Sequence, residues 1–332
     1  MNESERAATG KRLVQELHDT ILVGDSLTLA RGLPTGSARV IVTSPPYFGH
    51  RNYTGGGPLE RHELGREPSR KEYTERLVTL FAELRRVLAT DGTLWLNLGD
   101  TYRDSQLLGI PWRVAFALQE DGWLLRSEII WEKPNAMPSS IKSRPTVSHE
   151  HIFLLSTGPD YFYNADAVRE PHVTFSADSK MKGGRNHFGK RNGTPEKGKN
   201  KGSHNLHDAR WDQYFHPLGR NRRTVWSIPL GKFRDAHFAV FPEKLVEVCL
   251  LAGTEEGDLV LDPFMGSGTT AIVAKRLGRR FLGLELMPGY AEMARRRAAQ
   301  AAVTPPLFEK GPHKIDMNRR VEQRRSDPTL PF

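Results

Sequence analysis

A chain of 332 residues, 38% of them hydrophobic, is long enough for one large α/β domain with an insertion or for two modest domains. Its single cysteine, Cys249, excludes an intrachain disulfide and a cysteine-based metal cluster, and no apolar run approaches the ~18 residues of a membrane span. Lys and Arg outnumber Asp and Glu by 48 to 39, a formal charge of +9, which points to an anionic partner with nucleic acid first among them, or else to solubility alone.

Met1 to Arg12 is polar and lacks the apolar centre of a signal peptide, so the expected location is the cytoplasm. Ile21-Leu22-Val23, closed by Gly24-Asp25, reads as a buried strand ending in a turn. Val40-Ile41-Val42 is a second strand, stopped by Pro45 and Pro46, which cannot continue a central strand. Gly49 to Pro68 has no periodicity and is long for a connection, the mark of a functional or mobile loop that could close over a substrate. Ser69 and Glu72 form a capping-box pair ahead of a helix whose apolar face is Tyr73, Leu77, Leu80, Phe81, Leu84 and Leu88, with Asp91-Gly92 as its stop. Strands are expected at Thr93–Leu98, Trp123–Trp131 and His151–Leu155, with a helix at Pro111–Gln119 between the first two.

Ser176 to Arg223 breaks the pattern. It is polar, with 12 Lys or Arg against 4 Asp or Glu, and carries interleaved aromatic and histidine residues. It reads as a basic insertion, partly ordered or ordering on binding. Three of its four histidines, His187, His204 and His207, are too irregularly spaced to suggest a metal site. Regular structure resumes with a helix from Pro242 to Ala252, a strand Asp258–Asp262, a helix Ser267–Leu277, a strand Arg280–Leu286 and a helix from Pro288 to about Ala302. Seven strands alternating with helices imply a mostly parallel sheet covered on both faces. The expected organisation is a first catalytic part at 14–170, the basic insertion at 171–224, a cofactor-binding part at 225–303 and a loose tail at 304–332.

Two stretches carry chemistry. Asp262-Pro263-Phe264-Met265-Gly266-Ser267-Gly268-Thr269-Thr270 links a strand to a helix, where glycines let a ligand approach the backbone and the helix start offers N–H donors. Glu285 ends the next strand, placed to accept hydrogen bonds from ribose hydroxyls. The glycine spacing is not that of a dinucleotide fingerprint, and no lysine follows as in a phosphate-binding loop. Thr43-Ser44-Pro45-Pro46-Tyr47 is a proline-stiffened row of acceptors, suited to an amino group, with the Tyr47 ring as a stacking face.

Together these stretches resemble the permuted beta group of amino-group DNA methyltransferases, in which the Pro-Pro-Tyr element precedes the Phe-x-Gly-x-Gly element. The resemblance spans roughly Ile21–Tyr163 and Arg222–Ala302. It implies a Rossmann-like α/β fold of the S-adenosylmethionine-dependent methyltransferase type, with a seven-stranded sheet and an inserted target recognition region. It further implies S-adenosyl-L-methionine as cofactor, held by Asp25, His237, Asp262, Phe264, Gly266, Gly268, Thr269 and Glu285, and no metal. Ser44, Pro45, Pro46 and Tyr47 become the catalytic element, and Trp131–Asn135, Arg144, His149 and Glu150 a target-pocket segment. The partner is double-stranded DNA, whose target base must leave the stack, and the setting is a prokaryotic cytoplasm at the nucleoid. A homodimer and a cognate restriction endonuclease are both open. Ser rather than Asp or Asn before Pro-Pro-Tyr favours cytosine N4; adenine N6 on the same fold, a catalytically silent DNA-binding module and an RNA or protein amine are the alternatives. Methylation at cytosine C5 needs a nucleophilic cysteine, and Cys249 sits in an apolar helix without a Pro-Cys context.

Overall fold

The computed structural model describes residues 17–172, 218–231 and 242–302. Among the described residues, eight strands form one sheet: β1 (Thr20–Val23), β2 (Ala38–Thr43), β3 (Leu88–Leu98), β6 (Leu124–Glu132), β7 (His149–Ser156), β8 (Val225–Ser227), β9 (Leu259–Asp262) and β10 (Arg280–Glu285). Their spatial order is β1-β10-β9-β2-β3-β7-β6-β8. A separate hairpin pairs β4 (Tyr102–Arg103) with β5 (Gln106–Leu107). The sheet thus has one strand more than the seven expected. The eighth, β8, is three residues long and pairs parallel to β6 at the sheet edge, too short to leave a periodic signal in the sequence. Neighbouring strands are parallel except at β7, which runs antiparallel to both β3 and β6.

Six helices of the described residues accompany this sheet: α1 (Ser26–Arg31), α2 (Arg70–Val87), α3 (Ile110–Glu120), α4 (Glu243–Gly253), α5 (Thr269–Arg276) and α6 (Pro288–Gln300). The Ser69 hydroxyl caps α2 by accepting the Glu72 N–H and donates to the Glu72 carboxylate. Tyr73, Leu77, Leu80, Phe81 and Leu84 are buried as the periodicity predicts. The helix stops at Val87 rather than at Asp91-Gly92. Leu88 turns to an extended backbone and already pairs with Ala38, and the ladder slips before resuming at Val40 and Thr93. Alternation along β3 then divides the core. Leu94, Leu96 and Leu98 join the apolar cluster under α1, α2 and α3, whereas Thr93 and Trp95 meet Gly253 of α4 on the other face. No helix among the described residues is long and apolar enough to cross a membrane.

The chain divides into two units, residues 1–164 with 223–307 and residues 165–222 with 308–332. In the second, Glu170 and Arg220 exchange backbone hydrogen bonds of 3.0 and 2.8 Å, and their side chains pair at 3.2 Å. Those residues flank most of the basic insertion, whose residues 173–217 lie outside the described ones, as does the tail from 303.

In the first unit the sheet order reverses between β2 and β9, the place where open α/β sheets bind ligands at the carboxyl ends of their strands. Asp262, 1% exposed, holds this junction. One carboxylate oxygen accepts the Thr43 hydroxyl at 2.7 Å and the Phe264 N–H at 3.0 Å; the other accepts the Thr270 hydroxyl at 2.6 Å. Burial outweighs these hydrogen bonds and pushes the Asp262 carboxyl up to about 6. Behind it, Gly268 has a φ of +87°, and a Cβ there would lie 2.8 Å from that of Ala294 in α6.

Two outcomes are expected. Between about pH 4 and 6 the folded state keeps a proton on Asp262 that the unfolded chain has released, so this group's stabilising contribution is complete at low pH and is lost as pH rises through about 6. That loss is on the order of 3 kcal/mol. Urea unfolding from pH 4.5 to 7.5 should therefore show a flatter pH dependence in Asp262→Asn, and an unchanged slope refutes the assignment. Gly268→Ala should cost about 2–4 kcal/mol, combining left-handed strain with overpacking against α6, as read from the shift in urea midpoint.

Candidate active site

A cavity of about 400 Å³ opens at the β2/β9 junction, a size typical of small-molecule sites. Its walls come from strand ends. Asp25 follows β1, Ser44 to Tyr47 follow β2, Phe264 to Ser267 follow β9, and Glu285 closes β10. Because β7 runs against its neighbours, its second residue, Glu150, reaches the same edge, beside Asn97 near the end of β3.

On one side the groups suit a ligand rich in hydroxyls. Glu285 accepts the N–H of Gly266 and of Met287, each at 2.8 Å, which fixes its carboxylate while leaving lone pairs to spare. Burial raises its pKa above the ordinary carboxylate value. Asp25 caps α1 through the Thr28 N–H and hydroxyl, and its other oxygen lies 3.6 Å from His62 Nδ1. Thr269, at the first turn of α5, lines the cavity, yet its buried hydroxyl has no partner among the described residues. A fixed carboxylate beside a helix start fits a nucleoside that carries an amino-acid tail.

On the other side lies a polar network. Tyr47 Oη donates to Glu150 Oε2 at 2.6 Å and accepts from Ser44 Oγ at 3.1 Å and Asn97 Nδ2 at 2.7 Å. Asn97 Nδ2 also lies 2.8 Å from Glu150 Oε2, and Lys133 pairs with Glu150 Oε1. Burial and the Glu150 charge push the Tyr47 phenol well above its usual range. Pro46 is held from behind by the Tyr73 hydroxyl, which donates to its carbonyl at 2.9 Å.

The structure thus brings Ser44, Pro45, Pro46 and Tyr47 into one cavity with Asp25, Phe264, Gly266, Thr269 and Glu285. Two residues expected at the cofactor do not line it. Both Asp262 oxygens are taken up by protein donors, and Gly268 packs against α6. They position the turn from inside. His237 lies outside the described residues. The loop 49–68, expected as a functional or mobile cover, forms a pinned wall. Glu63, 2% exposed, accepts the N–H groups of Tyr53 and Thr54 and the Thr54 hydroxyl, and Glu67 accepts the Gly65 N–H and pairs with Arg76 at 2.7 Å. Tyr53 from this loop meets Tyr290 of α6 edge-on, 6.4 Å between ring centroids, at the cavity wall. Glu63 and Glu67, set in a Gly- and Arg-rich loop, are the signal for this anchoring in the sequence. Asn97 gives none, being one polar residue in an apolar strand.

Comparison with known proteins agrees with this geometry. The DNA methylase family of N6 and N4 methyltransferases matches residues 38–296. The Type II methyltransferase M.Cfr9I of Citrobacter freundii is 41% identical over 304 residues, covering 83% of this chain and 86% of its own. M.SmaI of Serratia marcescens is 39% identical over 306 residues, covering 83% and 89%. Among solved structures, the cytosine-N4-specific PvuII DNA methyltransferase shares the fold at a TM-score of 0.59 and 20% identity, covering 92% of this chain and 91% of its own. A DNA modification methylase of Thermus thermophilus, solved with S-adenosyl-L-methionine, has a TM-score of 0.54 and 26% identity, covering 87% and 95%. The chain belongs to the N6/N4 DNA methylase family.

Proposed function

We propose that this DNA methyltransferase acts on the N4 amine of a cytosine flipped out of duplex DNA, at a specific site, with S-adenosyl-L-methionine as its cofactor. The observation that carries the reading is that the Ser-Pro-Pro-Tyr element and the Gly-rich turn line one cavity. When bound, the cofactor supplies an electrophilic methyl group on a sulfonium, an excellent leaving group, so no covalent enzyme intermediate is required. Glu285 would take the ribose hydroxyls, Asp25 and Phe264 the adenine end, and Gly266 with Thr269 the amino-acid tail.

Cytosine N4 is a poor nucleophile because its lone pair is delocalised into the ring. The Ser44 hydroxyl and the Pro45 carbonyl would accept the amine hydrogens, returning the lone pair to nitrogen and aiming it. Tyr47 would stack on the extruded base. The serine at position 44 supports cytosine over adenine. Residues 171–224 would form the target recognition region, taking its affinity from contacts of Lys and Arg with phosphates. A cognate restriction endonuclease acting on the same site, and self-association, are further partners that this reading admits.

Digestion of DNA labelled from methyl-labelled cofactor should yield N4-methylcytosine on mass spectrometry; N6-methyladenine would keep the site and overturn the choice of base. Ser44→Ala should lower the methylation rate about 10²–10³-fold while leaving cofactor affinity within about twofold. Glu285→Gln should do the reverse, weakening cofactor binding about 10–100-fold by calorimetry. An equal loss of affinity in Ser44→Ala would contradict the division of roles.

A further inference from the structure

We propose that the proton released by the target amine travels through Ser44 and Tyr47 to Glu150. The inference rests on amine methylation and holds whichever base carries the amine.

The direction of the hydrogen bonds is forced. An ionised carboxylate has no hydrogen to give, so at 2.6 Å Tyr47 must donate to Glu150. Its oxygen is then left to accept, and it does so from Asn97 at 2.7 Å and from Ser44 at 3.1 Å. The Ser44 hydrogen therefore points away from the cavity toward Tyr47, and Ser44 Oγ can take a hydrogen from a substrate amine. Ser44, Tyr47 and Glu150 make a one-way chain that starts where the amine would sit and ends on a carboxylate.

The remaining contacts suit a proton acceptor. Lys133 pairs with the far oxygen of Glu150 and lies over the Trp131 ring, 4.7 Å from its centroid. The lysine contact occupies Oε1 and leaves Oε2 to face the Tyr47 phenol. Gly99 keeps the Tyr47 ring in place: a Cβ there would come within 2.5 Å of a ring carbon. Burial holds the phenol well above its ordinary range, so Tyr47 passes a proton on without keeping a charge.

The step balances. After transfer the methylated nitrogen carries one proton too many. The N–H bond breaks with its electron pair returning to nitrogen, and an O–H bond forms at Ser44. The Ser44 proton moves to Tyr47 and the Tyr47 proton to Glu150. A positive nitrogen and a carboxylate become a neutral amine and a carboxylic acid, and Glu150 gives its proton to water once product has left.

The test compares wild type, Tyr47→Phe, Glu150→Gln and the double variant under single-turnover conditions, on amplified and hence unmethylated genomic DNA. Tyr47→Phe keeps the ring and removes the hydroxyl, with its link from Ser44 to Glu150 and its bond from Asn97. Each single variant should slow methylation about 10²–10⁴-fold, the range of general acid–base catalysis, and the double variant should be no slower than Glu150→Gln. Cofactor affinity should stay within about twofold and thermal midpoints within a few degrees. The dependence of the wild-type rate on deuterium fraction should be curved, from several protons in flight, and should become linear in Tyr47→Phe, a change that a purely structural role would not produce. A wild-type rate in Tyr47→Phe, or losses that multiply in the double variant, would overturn the wire alone. Label in neither amino base with wild-type protein would overturn the functional reading and the wire together.

Discussion

The buried carboxylate of Asp262 is the constraint on which the site depends. Parallel pairing aligns β2 with β9 at Val40–Val260 and Ile41–Leu261, and the ladder between them ends there. From that point the Thr43 hydroxyl, the Phe264 N–H and the Thr270 hydroxyl all converge on one side chain. Thr43 is the residue before Ser44, and Phe264 and Thr270 bracket the Gly-rich turn. One desolvated group thus sets the separation between the element that would present an amine and the turn that would hold the methyl donor. Three short hydrogen bonds in a low-dielectric setting make that separation stiff, which is what positioning catalysis requires.

The same division runs through the electrostatics. Toward β10, Glu285 is fixed by two backbone N–H groups, a preorganised acceptor for hydroxyls. Toward β7, Glu150 is fixed by a phenol, an amide and an ammonium. Glu285 and Glu150, two of the four carboxylates that line the cavity, avoid sharing a role because their partners differ: the first is satisfied by groups that cannot move a proton, the second by one that can.

Much of this was legible in the chain, for identifiable reasons. Helix α2 declared itself through a capping pair and an apolar stripe, and the buried strands through short β-branched runs ended by Gly, Asp or Pro. Composition could not show β8, whose three residues owe their strand to a neighbour, nor that Leu88 would leave the helix to pair with Ala38. At the site, the strand-end positions of Asp262 and Glu285 were clear, but not the direction of their side chains. Glu285 faces the cavity and Asp262 the interior, a difference settled by Thr43, 219 residues away in sequence. The resemblance named Glu150 in the target-pocket segment, but not what brings it to the cavity: the reversed direction of β7, which leaves no trace in an alternating pattern.

The strand order has a consequence for how the molecule is made. β1 pairs with β10, and β2 takes β9 as its second neighbour, so these early strands wait for partners that are made at least 220 residues later. Without β9 and β10, β2 lacks one of its two neighbours, and Ser44 and Tyr47 have no Gly-rich turn to face them. Such long-range closure is slow and leaves strand edges exposed during synthesis. It also means that a product cut short before β9, however long, lacks half of the cavity: the arrangement makes the site all-or-none with respect to translation.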